Sequence, residues 1–298
     1  MHTLTQQQTL RIGHSPDPDD AFMWYPLANF PDGTGPGGKT YTPRIDTGPY
    51  NFVHVLEDIQ ALNERSQNAE LEITAISIHQ YPFIADRYAL TSCGASIGDG
   101  YGPMVISNQK REVDDLRNMK IAIPGRRTTA FLTLSLLLGK DAFAYEVVPF
   151  DQIIPAVASG QFDAGLIIHE GQLTYQNAGL HRVVDLGKWW SQTRQLPLPL
   201  GGNAIRRDLG GAVGPICSIL LGSIRYALEH REEAVRYALN YARDMDTDLA
   251  DTFVGMYVNH WTLDYGQQGR QAVRLLLEEA ADAGLVPRTG PIDFIEPG

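Results

Sequence analysis

The sequence predicts an α/β protein of two lobes with a ligand cleft between them and two crossover segments, the first lobe formed by residues 1–105 and 203–298 and the second by residues 106–202. Three observations predict it. A strand-then-helix order repeats through the middle of the chain, Gly/Pro-rich extended passages bracket that repeat, and the remainder is mainly helical by its apolar spacing. At 298 residues and 43% hydrophobic content the chain can bury a core for two lobes of ordinary size.

Leu10 to Gly13 reads as a first strand, stopped by Ser15-Pro16-Asp17-Pro18-Asp19-Asp20, whose side chains suit the cap of a helix running from Ala21 to Leu27. Residues 31–50, rich in Gly, Pro and Thr, read as an exposed insertion before a second strand or hairpin. A short helix over Glu57 to Arg65 and a strand over Leu71 to Ile78 follow, leaving Ser77-Ile78-His79 at the strand's carboxyl end. Gly94 to Gly102 leads into the strand Pro103 to Ser107, the first passage between lobes.

In the middle segment, Lys120 to Ile123, Tyr145 to Pro149 and Asp163 to Ile168 read as strands, with helices over Thr128 to Leu138 and Gln152 to Ser159 between them, an order that argues for a parallel sheet. Leu196-Pro197-Leu198-Pro199-Leu200-Gly201-Gly202 cannot be helical and forms the return passage. Ile216 to Leu228, Glu232 to Met245 and Gly269 to Ala283 carry three-to-four-residue apolar spacing and are expected to pack back on the first lobe.

A formal charge of -11, without a basic cluster larger than Arg126-Arg127 or Arg206-Arg207, argues against nucleic acid and anionic membranes as partners and leaves a small anion as the better guest. The two cysteines, Cys93 and Cys217, lack metal or disulfide spacing. Met1 to Ile12 shows no leader pattern and no run reads as a membrane helix, so a cytoplasmic location is expected. Walker, GxSxG and HExxH motifs are absent, and Gly98 to Gly102 is too loose for a dinucleotide fingerprint.

Ligands of open α/β sheets bind beyond the carboxyl ends of the strands, where four groups fall. Pro124-Gly125-Arg126-Arg127-Thr128-Thr129 opens a helix whose amides and hydroxyls suit a carboxylate or phosphate; an ordinary Thr cap with no ligand is the plain alternative. His169 follows a buried strand, and an imidazole with an ordinary pKa near 6.5 can act as a general base in a cleft, or be a structural group bonded to a carbonyl. Ser15 to Asp20, with His14, lacks the Gly and terminal Glu of a calcium loop and reads better as a capping turn facing the cleft. Ser77 and Asn63, with His79, offer polar groups from the first lobe, or ordinary loop hydrogen bonds; Trp189-Trp190 reads as packing.

Ser15 to Asp20, Asp86-Arg87-Tyr88, Pro124 to Ala130, Ala164 to Glu170, Val184 to Trp190, Leu196 to Gly201 and Tyr257-Val258-Asn259 together, in this order, resemble the 1,4-dihydroxy-6-naphthoate synthase family. That resemblance implies a type II periplasmic-binding-protein-like fold and a lyase of the futalosine route to menaquinone. The implied reaction cleaves cyclic dehypoxanthinyl futalosine to 1,4-dihydroxy-6-naphthoate and dihydroxyacetone, with no metal and no organic cofactor. It further implies that His169 is the proton-abstracting base, that Thr128 and Thr129 bind the substrate carboxylate, and that Asn63 and Ser77 line the pocket. The sequence departs from the family pattern at Asp19, at His79 and across residues 31–50, which bears on first-lobe contacts. Chorismate dehydratase, a sister enzyme of the pathway, and a non-catalytic receptor for a small carboxylate are the rival readings. PGRxTTA and IIHE favour the naphthoate synthase over the dehydratase.

Overall fold

A computed structural model describes residues 7–242 and 245–298; residues 1–6, on which part of the leader reading rests, and 243–244, inside the expected helix over Glu232 to Met245, lie outside the described residues. Two sheets organise the chain. The larger runs Phe294–Ile295, Tyr88–Thr91, Leu198–Arg206, Ile73–Ser77, Gln8–His14, Tyr50–Leu56, with Ser96–Gly98 paired to one end of Leu198–Arg206. The smaller runs Ala144–Val147, Lys120–Ile123, Ala164–Ile167, Met104–Ser107, His181–Asp185.

Neither sheet is purely parallel. Gln8–His14 is parallel to Tyr50–Leu56 and Ile73–Ser77, and Lys120–Ile123 to Ala144–Val147 and Ala164–Ile167. The strand on which the chain enters the smaller sheet, Met104–Ser107, and the strand on which it returns, Leu198–Arg206, are antiparallel to their neighbours, because each crosses from the other lobe against the direction of the local βαβ units. The smaller sheet's entering strand begins at Met104 and the returning strand of the larger sheet at Leu198.

Local chemistry sets the element ends. Asp58 caps helix Ile59–Ser66 through the amides of Gln60 and Ala61, so that helix starts two residues later than its apolar pattern suggested. The strand expected to reach Ile78 stops at Ser77, and the chain turns through a 3-10 segment, Ile78–Phe83. Residues 31–50 hold a small hairpin, Phe30–Gly35 with Lys39–Tyr41, whose Tyr41 ring packs on Tyr25 and Tyr237. Leu186–Arg194, which contains Trp189 and Trp190, is a further helix, capped by Asp185.

The larger lobe holds its core on both sides of its sheet. On one side Phe22, Trp24 and Leu27 meet Ile216, Leu220 and Ile224 of helix Val213–Glu229; on the other Ile76, Leu90 and Leu198 meet Tyr265, Val273 and Leu276. Each such buried side chain contributes about 1.5–3 kcal/mol. Contrary to expectation, one stretch among the described residues, Arg207–Glu229, is long and apolar enough by composition to cross a membrane. In this fold Ile216, Cys217, Leu220, Ile224 and Ala227 of that stretch face the protein core.

Candidate active site

Four strand ends converge on one cleft, because the parallel strands of both sheets point their carboxyl ends at it. It encloses about 770 Å³ including its mouth, and is lined from the larger lobe by Ser15, Asp17, Asp19, Asp20, Ser77 and Tyr257 among others, and from the smaller by Thr128, Thr129, His169 and Gln172. Four of the five singled-out residues therefore open on one space. Asn63 is fully buried behind it, donating to the Ser77 hydroxyl at 3.0 Å and accepting from the Ser77 amide at 2.9 Å, which makes it a brace for Ser77.

His169 follows strand Ala164–Ile167 with a backbone φ of +61°, a left-handed conformation that non-glycine residues adopt at a cost of order 1–3 kcal/mol and that is concentrated at functional sites. Its ring lies edge-on to Phe150, with centroids 4.6 Å apart, and its Nδ1 is 2.9 Å from a carboxylate oxygen of Asp17 across the cleft. The same Asp17 oxygen accepts from the Ser15 hydroxyl at 2.7 Å. Asp17 occupies the N-cap position of helix Pro18–Trp24 but makes no side-chain cap, so the expected capping turn is instead a mount for the His169 partner.

This pairing decides the charge of the imidazole. Burial disfavours the cation, but the Asp17 carboxylate, by charge and by hydrogen bond, with Glu170 and Asp19 adding to it, lifts the His169 pKa to about 9. Relative to the ordinary value near 6.5, the pairing favours the imidazolium, with Nδ1–H donating to Asp17. Burial, and then the adjacent acidic side chains, also push the carboxyls of Asp19 and Asp20 upward, opposed at Asp20 by hydrogen bonds from Ser15.

Beside His169, on the same lobe, lies the start of helix Thr129–Leu138. Thr128 caps it, its hydroxyl accepting from the Phe131 amide at 3.2 Å and donating to the Gly125 carbonyl at 2.9 Å. The Thr129 hydroxyl donates to the Leu200 carbonyl at 2.5 Å and accepts from the His79 amide at 3.2 Å. Both hydroxyls are thus engaged by protein. The donors this helix can offer an anion are the amides of its first turn at Thr129 and Ala130, which have no intrahelical acceptor.

His79 is buried between the lobes with Nδ1 3.1 Å from the Thr128 carbonyl, and burial lowers its pKa to about 4. His14 and His54 share a hydrogen bond of 2.9 Å, His14 also reaching the Ser15 carbonyl, and burial keeps both neutral at pH 7. Tyr257 and Gln172 were not singled out by chemistry in the sequence; the Tyr257 hydroxyl donates to Gln172 at 3.0 Å across the cleft. Among the described residues, no group of three or more His, Cys, Asp or Glu side chains is placed to hold a metal ion.

Residues 10–282 match the family described as menaquinone biosynthesis. A 1,4-dihydroxy-6-naphthoate synthase of Streptomyces coelicolor is 38% identical over 95% of this chain and 96% of its own, and one of Thermus thermophilus is 38% identical over 93% and 96%. The chain belongs to this family. A crystal structure of an Archaeoglobus fulgidus protein, 43% identical, superposes with a TM-score of 0.84 over 96% of this chain and 100% of that one. The alkanesulfonate-binding protein of Xanthomonas axonopodis pv. citri, 13% identical, superposes with a TM-score of 0.66 over 94% of each chain. That likeness, as to other binding proteins, shows the two-lobed periplasmic-binding-protein fold alone.

Proposed function

We propose that the chain is a lyase that converts cyclic dehypoxanthinyl futalosine to 1,4-dihydroxy-6-naphthoate and dihydroxyacetone. The observation that carries this is the opening of an Asp17-paired His169 and a helix start at Thr128-Thr129 onto one cleft, in a chain 38% identical over nearly its whole length to enzymes of that name.

The substrate carboxylate docks on the amides of Thr129 and Ala130, which hold the partial positive charge of the helix start. The aromatic body lies against Met23, Ile59, Ala75 and Phe253 of the cleft wall, and Ser77 holds a polar group of the sugar-derived ring. So oriented, the substrate presents an acidic proton to Nε2 of His169. Nε2 takes that proton only when the imidazole is in its minority neutral form; Asp17 fixes the ring and stabilises the imidazolium once it forms. Proton removal opens the sugar-derived ring, a retro-aldol-type cleavage breaks the carbon–carbon bond to the three-carbon unit, and aromatisation drives the step to completion. None of these roles calls on a metal or an organic cofactor. The reading carries with it a small carboxylate as partner and a cytoplasmic location; the charge of -11 supports the exclusion of nucleic acid and anionic membranes.

Incubation of the purified protein with cyclic dehypoxanthinyl futalosine and, in parallel, with chorismate, followed by mass analysis, tests the assignment. Conversion of the first to the naphthoate with chorismate untouched is expected. Dehydration of chorismate instead, or binding of either acid with its release unaltered, would replace this reading by the dehydratase or the receptor.

A further inference from the structure

Two side chains of helix Ile59–Ser66, spaced three residues apart and so on one face, take hold of both sides of a single residue in the other lobe. Gln60 accepts from the Arg127 amide at 3.0 Å, and Asn63 donates to the Arg127 carbonyl at 3.3 Å. Arg127 immediately precedes Thr128, the cap of the helix that forms the anion wall. Asn63 is meanwhile bonded twice to Ser77, which lines the cleft from the larger lobe. One short helix therefore ties the start of one cleft wall to a polar group of the other.

The approach is built into the sequence on both sides. A Cβ on Gly125 would lie 2.3 Å from Gln60 Oε1, so only glycine admits the amide of Gln60 to this loop. The Gln60 amide nitrogen is held by Glu64 at 2.8 Å, one turn along, which orients the oxygen toward Arg127. The Arg127 guanidinium lies over the Phe83 ring of the larger lobe, 3.7 Å from its centroid, steadying the same residue by its side chain.

We propose that Gln60 is a positioning residue: with Asn63 it latches the Arg127 peptide and sets the Thr128-Thr129 helix start in register with Ser77 and His169 when the lobes are closed. Its role in turnover rests on the naphthoate synthase reading; the latch itself does not.

Hydrogen exchange at the Arg127 amide in the ligand-free protein, read by residue-resolved mass spectrometry or NMR, tests the latch. Gln60→Leu removes the acceptor and should speed exchange there roughly fivefold, the factor given by a net hydrogen bond of about 1 kcal/mol. Gln60→Glu paired with Glu64→Gln keeps the acceptor oxygen and a hydrogen bond between positions 60 and 64, and should keep the protection. Gly125→Ala displaces the Gln60 side-chain end and should reproduce Gln60→Leu. Unchanged exchange in Gln60→Leu, or equal loss of protection in the paired Gln60→Glu, Glu64→Gln variant, would overturn the latch. In turnover, Gln60→Leu should lower kcat several-fold, whereas the paired Gln60→Glu, Glu64→Gln variant should keep it. Loss of Arg127 protection with kcat unaltered would overturn the positioning role. A wild-type protein inert toward the futalosine substrate would count against the proposed reaction alone, because the exchange measurement needs no substrate.

Discussion

Replacing Asp17 by asparagine should move the pH dependence of turnover by more than two units toward acid. In the wild type, two opposed effects act on His169: burial lowers its pKa, and the Asp17 charge and hydrogen bond raise it, to a net value of about 9. The asparagine side chain is close to isosteric with aspartate but uncharged, so burial then prevails over the weaker pull of Glu170 and Asp19, and the pKa falls to or below its ordinary value of roughly 6.5. That drop corresponds to roughly 3 kcal/mol of preference for the imidazolium. If neutral His169 is the base, wild-type kcat/KM rises about tenfold per pH unit and levels near pH 9. The base form is then only about 1% of the enzyme at pH 7. In Asp17→Asn the rising limb should sit below pH 7, with a lower plateau because the ring has lost its orienting partner and part of its basicity. The assay is kcat/KM from pH 5.5 to 10 by mass detection of the naphthoate, beside an NMR titration of the His169 ring that requires no turnover. A limb that stays near 9 in the variant, or one already below 7 in the wild type, would refute the pairing as the origin of the shift.

His169→Ala should lose at least about a hundredfold in kcat, the lower range for a general base, and near-normal turnover would remove the imidazole from the chemistry. Thr128→Val removes the cap of helix Thr129–Leu138 and should cost about 1 kcal/mol in denaturant unfolding, whereas Thr129→Pro removes one docking amide at the first helical position, where proline is tolerated, and should raise KM; an unaltered KM there would speak against a dock at this helix start. His79→Asn keeps a donor for the Thr128 carbonyl but removes a buried base whose pKa is about 4 against roughly 6.5 unfolded. Between those values the unfolded chain binds a proton that the native protein does not, so wild-type stability falls with falling pH. The variant should therefore lose about 1.4 kcal/mol less per pH unit from 6 to 4 by urea unfolding, and parallel curves would show that His79 is not neutral in the native state.

The sequence announces its strands and helices wherever local pattern and local chemistry agree. Lys120–Ile123 and Thr129–Leu138 are legible because an apolar run ends in a Pro-Gly turn and a Thr cap. The antiparallel sense of Met104–Ser107 and Leu198–Arg206 is not legible, since pairing direction depends on residues far away along the chain. His169 and the Thr128-Thr129 start stand out by their place after strands, but the charge state of His169 does not. It depends on Asp17, 152 positions earlier, which reads locally as one more cap of an Asp/Pro turn. That its carboxylate turns to the imidazole instead of capping the helix is visible only in three dimensions. Gln60 carries no motif and Tyr257 only the family resemblance of Tyr257-Val258-Asn259; their partners, a backbone amide and a glutamine, leave no trace in spacing.

The two lobes reach completion at different moments of synthesis. All five strands of the smaller sheet lie within residues 104–185, so that unit can assemble as soon as this stretch has left the ribosome. Its partner cannot, since Leu198–Arg206 is wedged between Ile73–Ser77 and Tyr88–Thr91, and Phe294–Ile295 closes the edge. Until residue 206 emerges, two earlier strands stand with bare edges, which nascent chains protect poorly. Slow steps in refolding, and any chaperone dependence, should accordingly belong to the split lobe.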